Sequence, residues 1–173
     1  METVHGLEWL NALTSDEARN ELLKCCGATR WATTLEQRRP FARFHELLAE
    51  ANEVWWNLDQ SDWLEAFQSH PKIGEKKAAA PVAAQSQQWS AQEQQNVQQA
   101  SADAIENLAR LNRTYEEKFG FIFIVCATGK STDEILTLLE HRLPNDRATE
   151  LPIAAAEQAK ITELRLRKLI EGS

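Results

Sequence analysis

The chain reads as an all-α protein: one compact multi-helix domain over residues 1–173, with a buried extended segment around 121–127. Three observations predict this. Apolar residues recur at three- and four-residue spacing through most of the chain, as helices with one buried face require. Two Ser/Thr-x-x-Glu boxes, Thr14 to Glu17 and Ser131 to Glu134, mark helix starts. The one run that reads as a strand, Phe121 to Cys126, has no second convincing strand to pair with.

Taken in order, the first box opens a helix with Leu22, Leu23 and Cys26 at helical spacing and Gly27 as its stop. Pro40 fits the first turn of the next helix, whose stripe is Phe41, Phe44, Leu47, Leu48, Ala51, Val54 and Trp55. A shorter helix follows from about Ser61, with Trp63, Leu64 and Phe67 inward, and it must end before His70-Pro71. Residues 75–89, rich in Lys, Ala, Gln and Ser, read as a surface loop or lid. Ser90 starts the longest helix, to about Phe119, with Val97, Ala104, Leu108, Leu111 and Tyr115 on one face. The second box opens a helix through Ile135, Leu138, Leu139 and Arg142 that stops at Leu143-Pro144. A final helix spans about Glu150 to Ile170, and Pro152 is tolerable only if regular helix begins there.

Composition narrows the function. A chain of 173 residues, 43% hydrophobic, is long enough to bury a core with a cavity in it. A net charge of −7 without a Lys/Arg cluster argues against a nucleic-acid backbone as partner. The longest apolar run falls far short of the ~20 residues a membrane helix needs, and no signal layout opens the chain, so a cytoplasmic protein is expected. Cys25, Cys26 and Cys126 fit neither a disulfide framework nor zinc spacing, and the four histidines are scattered, so no metal is expected. Gly129-Lys130-Ser131 ends like a phosphate loop, but such a loop needs a glycine five positions earlier, where Ile124 stands.

Three residues carry possible chemistry, each with a plainer alternative. His70, held out of the helical region by Pro71 and followed by Gly74, either faces a cavity or sits solvated in a polar turn. Glu93 either closes a third capping box on Ser90 or, with Ser90 and Gln94, receives a ligand at a helix start. Arg165 lies on an apolar stripe, four positions from Ile161 and from Leu169. Its guanidinium either points inward and requires an anion or snorkels to water. The 121–127 run is either core or, unpaired as a strand, offers backbone groups to a planar polar ring.

Taken together, His70-Pro71-Lys72-Ile73-Gly74, Ser90-Ala91-Gln92-Glu93-Gln94, Phe119 to Cys126, Gly129-Lys130-Ser131 and Lys160 to Leu166 resemble the OHCU (2-oxo-4-hydroxy-4-carboxy-5-ureidoimidazoline) decarboxylase family across nearly the whole chain. The resemblance implies an all-helical homodimer that converts OHCU, a small-molecule substrate, to (S)-allantoin in urate degradation without metal or organic cofactor. It implies His70, Glu93 and Arg165 as the catalytic set, with Pro71, Ser90, Gln94 and Phe123, Ile124, Val125, Cys126 and Ala127 contacting substrate. The chain ends Glu171-Gly172-Ser173 instead of in a peroxisomal Ser-Lys-Leu address, which suggests a bacterial cytoplasmic member. The rival reading is a non-catalytic helical protein-interaction module using the Gln-rich face after Ser90; an exposed Arg165 would favour it.

Overall fold

A computed structural model describes residues 2–75, 82–98 and 100–172. Among these residues the regular structure is ten helices: α1 (Glu2–Ala12), α2 (Ser15–Leu23), α3 (Thr29–Gln37), α4 (Phe44–Trp56), α5 (Gln60–Gln68), α6 (Ala84–Glu93), α7 (Gln95–Gln98), α8 (Ala102–Phe119), α9 (Thr132–Arg142) and α10 (Arg147–Glu171). The protein is all-α, as its periodicity predicts. Its contacts cluster into two units, Met1–Ala66 with Ala159–Ser173, and Phe67–Gln158.

In the first unit the Thr14 box forms as expected: the Thr14 hydroxyl accepts from the Glu17 N–H at 3.2 Å, and the Glu17 carboxylate accepts from the Thr14 N–H at 3.1 Å. α2 stops short of Gly27, because the N–H groups of Lys24 and Cys25 turn back three residues and finish the helix without a left-handed glycine. Pro40 lies before α4, whose cap is Arg43, and so does not enter its first turn. The α4 stripe holds: Leu47, Ala51, Val54 and Trp55 are buried, and the Trp31 indole of α3 donates to the Ala51 carbonyl at 3.0 Å. α1 and α3 have no counterpart in the sequence reading.

In the second unit the expected single helix from Ser90 to Phe119 is three elements. α6 begins at Ala84, so Ser90 is interior to it and Glu93 is its last residue. The long helix α8 starts only at Ala102, where the Ser101 hydroxyl accepts from the Ala104 N–H. The expected loop to Trp89 is therefore helical from Ala84, with Trp89 buried; residues 76–81 of the expected lid lie outside the described residues. α8 closes on Gly120 at φ +80°, and 121–127 then runs extended and buried, without helix or strand. Ser131 and Glu134 form the second capping box at the start of α9.

α10 starts at Arg147, earlier than expected, and carries Pro152 inside it. The reason is Asp146, whose carboxylate accepts from the Thr149 N–H at 2.8 Å and caps the helix before the proline is reached. Its carboxyl pKa is lowered by that bond.

Candidate functional site

In the Phe67–Gln158 unit, α5 ends at Gln68 and the chain leaves it through His70, whose N–H bonds the Phe67 carbonyl. His70 is buried, which excludes the solvated-turn reading. Its Nε2 lies 2.6 Å from Oε1 of Gln158, itself fully buried. An amide oxygen only accepts, so Nε2 carries a hydrogen and, in the neutral ring, Nδ1 is the basic nitrogen.

The loop after His70 is held on two sides. The Gln94 side-chain oxygen accepts from the Gly74 N–H at 2.9 Å, and Asn112 of α8 donates to the Ile73 carbonyl at 3.0 Å. Gly74 has φ +92°, a conformation that a Cβ makes costly. Asn112 is buried, and among the described residues its Oδ1 has no hydrogen-bond partner. Pro71, Ser90 and Gln94, with Gln87 and Gln88 of α6, line a cavity of about 460 Å³, within the usual range of ligand clefts, about 300–1,000 Å³.

Glu93 corrects the sequence reading. At the last residue of α6 it forms no capping box with Ser90, and the first-turn N–H groups that would have seated an anion there are absent. A carboxylate at a helix C-terminus faces the negative end of the dipole, which disfavours it by about 0.3–1 kcal/mol at an exposed site. Helix capping therefore does not account for a glutamate at this position. Its charge reaches Cys126: burial raises that thiol's pKa, a backbone bond at Thr128 and Lys130 lower it, and Glu157 and Glu93 raise it.

The 121–127 segment is fixed by side chains where a sheet would have used backbone. Arg142 of α9 donates to the Ile124 carbonyl at 2.7 Å and lies 4.4 Å from the centre of the Phe123 ring. Glu157 accepts the Cys126 N–H at 3.1 Å, and Lys130 donates to the Cys126 carbonyl at 2.6 Å. The lysine of Gly129-Lys130-Ser131 thus serves a backbone carbonyl, and its serine caps α9. The expectation that this backbone is open to a ligand is narrowed to the groups that these three side chains leave. Behind them, Glu150 is fully buried and accepts from Arg142, from the Tyr115 hydroxyl at 2.9 Å and from Asn145 at 3.1 Å.

Arg165 belongs to the other unit. It is 2% exposed, which excludes the snorkelling reading, and it donates to the Lys24 carbonyl at the end of α2 at 3.3 Å, a favourable place for a cation. Cys25 and Cys26 are also buried there; burial pushes the Cys25 thiol far up, partly offset by Arg165, and pushes Cys26 up to about 12. Of the expected site residues, His70, Pro71, Ser90, Glu93, Gln94 and the 123–127 segment fall within one unit, and Arg165 within the second.

Sequence reasoning missed Gln158, Asn112, Arg142 and Glu150 as site-building residues. The signal was the one that singled out Arg165: Gln158 lies seven positions before it on the same stripe, Asn112 follows Leu108 by four, and Arg142 follows Ile135 by seven.

The chain is similar to several known proteins. The family model described as OHCU decarboxylase matches residues 11–167. The "Uric acid degradation bifunctional protein TTL" of Arabidopsis thaliana is 38% identical over 84% of this chain and 45% of its own length. The 2-oxo-4-hydroxy-4-carboxy-5-ureidoimidazoline decarboxylase of Amia calva is 34% identical over 77% of this chain and 75% of its own. A crystal structure of OHCU decarboxylase in the presence of (S)-allantoin superposes with TM-score 0.75 at 38% identity, covering 87% of this chain and 97% of that one. The chain spans about a quarter to a half of the length of the bifunctional relatives that it matches.

Proposed function

This chain belongs to the OHCU decarboxylase family, and on that premise we propose that it decarboxylates OHCU to (S)-allantoin in urate degradation, without cofactor. The observation that carries the reading is the family match over residues 11–167, joined by a buried, oriented histidine at the expected position.

In the substrate, the carbon that loses CO2 bears a hydroxyl, and its neighbour is an imine carbon carrying the ureido group. When the C–CO2 bond breaks, its electron pair flows into that C=N, whose nitrogen takes a proton. The neighbouring carbon is then protonated as the hydroxyl becomes a carbonyl, so one proton replaces CO2 overall. No external electron sink is required. We assign His70 to the hydroxyl and carboxylate end, relaying protons through the ring that Gln158 orients. Arg165 balances developing negative charge, a role that supplies about 3 kcal/mol per well-placed donor. Glu93 anchors the ureido and ring N–H groups and fixes the protonated face. Pro71, Ser90, Gln94 and the 123–127 backbone complete the contacts with substrate.

We take residues 1–173 as one domain of this family, working as a homodimer in a bacterial cytoplasm with no nucleic-acid or membrane partner. The relatives include Bacillus proteins beside plant, fish and archaeal ones, and among the described residues no helix is long and apolar enough to cross a membrane. The interaction-module rival would be favoured by an exposed Arg165, which is buried. The test is kinetic: purified protein with freshly generated OHCU, followed by circular dichroism for (S)-allantoin. A rate no faster than buffer refutes the activity, and an intact stereospecific rate in His70→Ala refutes the role of His70.

A further inference from the structure

The extended 121–127 segment has no strand to pair it among the described residues, yet its backbone must point its remaining groups in fixed directions if it is to meet a ligand. Arg142 is one of three side chains that bond its backbone. The guanidinium donates to the Ile124 carbonyl, stacks against the Phe123 ring, and is held from behind by Glu150. The Tyr115 hydroxyl donates to the same Glu150 oxygen and accepts from Arg142 at 3.4 Å, while Asn145 occupies the other oxygen. Every group in this network comes from α8, α9, the α9–α10 turn or the start of α10, all within the Phe67–Gln158 unit.

Burying an ion pair at 8% and 0% exposure is a poor way to gain stability, since well-packed apolar residues of similar size do as well or better. What such a pair does supply is direction. A planar guanidinium fixed by a carboxylate can aim a hydrogen bond at one carbonyl. We propose that Arg142, locked by Glu150 and Tyr115, is a positioning residue: it sets the backbone of Phe123 to Ala127 in the orientation that receives substrate. This rests on the reading that the segment contacts OHCU.

The test uses the whole protein and two measurements. Arg142→Lys keeps the charge but loses the fork that reaches the Ile124 carbonyl and Glu150 together. In hydrogen–deuterium exchange, the 123–127 amides of Arg142→Lys exchange at least tenfold faster than in the parent, with α2 and α8 protection unchanged. In turnover, KM rises about 10–100-fold, kcat falls less, and the enantiomeric excess of allantoin drops, because a loosely held planar intermediate is protonated on both faces. A merely structural role would lower kcat with the folded fraction and leave KM and enantiomeric excess alone. If Arg142→Lys does not fold, Arg142→Met with Glu150→Gln removes both charges and is read the same way. Unchanged exchange at 123–127 overturns the proposal whatever the activity. Faster exchange with parental KM and enantiomeric excess overturns the link to substrate. If the parent itself makes no allantoin, it is the functional reading that fails, and the exchange result still decides whether Arg142 holds the segment.

Discussion

His70 and Gln158 lie 88 positions apart in the chain and meet through a 2.6 Å contact between ring Nε2 and amide oxygen, with neither residue more than 7% exposed. The amide oxygen fixes how the ring is turned and, in the neutral ring, keeps the hydrogen on Nε2, the two things a proton-relaying imidazole needs settled.

Gln158→Leu removes that acceptor from the buried ring. The expected result is a loss of about 1–3 kcal/mol in denaturant unfolding and a fall in kcat/KM of at least tenfold. A variant as active as the parent would mean that ring orientation is set elsewhere.

Glu93→Gln keeps size and removes the charge from the end of α6. Unfolding free energy should stay within about 1 kcal/mol of the parent, since the dipole no longer opposes the residue, while kcat/KM drops at least tenfold. Parental turnover would end its role as the anchor of the ureido group.

Gly6→Ala should reverse the usual helix rule. In an ordinary helix interior the change stabilises by about 0.5–1 kcal/mol, but here a Cβ would stand 1.8 Å from the Ile170 carbonyl oxygen, inside the first unit. One helix backbone must move, at a cost of about 1–3 kcal/mol. A urea titration giving a higher midpoint would contradict the close approach of α1 and α10.

The buried thiols predict a loss of stability in alkali. Burial raises the pKa of Cys25 and Cys26, the latter to about 12, with Arg165 lowering both in part. A thiol ionises near 8.5 when unfolded, so the protonated native form contributes stability that is complete below that value and is lost as pH climbs toward about 12. Urea midpoints at pH 7.5 and 10.5 should fall in that order, and Cys26→Ala should shrink the difference. An equal difference in that variant would assign the alkaline loss to other groups.

The parts legible in sequence were those governed by local chemistry. Both capping boxes, the α4 stripe, the helix exit at His70 and the place of Arg165 on an apolar stripe follow from spacing and side-chain type, whereas spacing left open whether Arg165 points inward. The failures share a cause as well. Ser90-Ala91-Gln92-Glu93 has the form of a box, but Ala84 to Trp89 is equally good helix, and the burial of Trp89 decided which start wins. Pro152 by itself argues against helix before it, yet Asp146 caps a helix that begins at Arg147, five residues before the proline. Gln158 and Glu150 could be recognised only as polar residues on buried stripes. What they bind depends on residues far off in the chain, which periodicity does not report.

A stretch whose carbonyls and amides are gripped by Arg142, Glu157 and Lys130 has no means of taking its place alone. The contacts from Arg142 and Glu157 need α9 and α10 in place, and we expect them to be absent from the folding transition state. Substitutions at Arg142 or Glu157 should then speed unfolding and leave the folding rate nearly untouched.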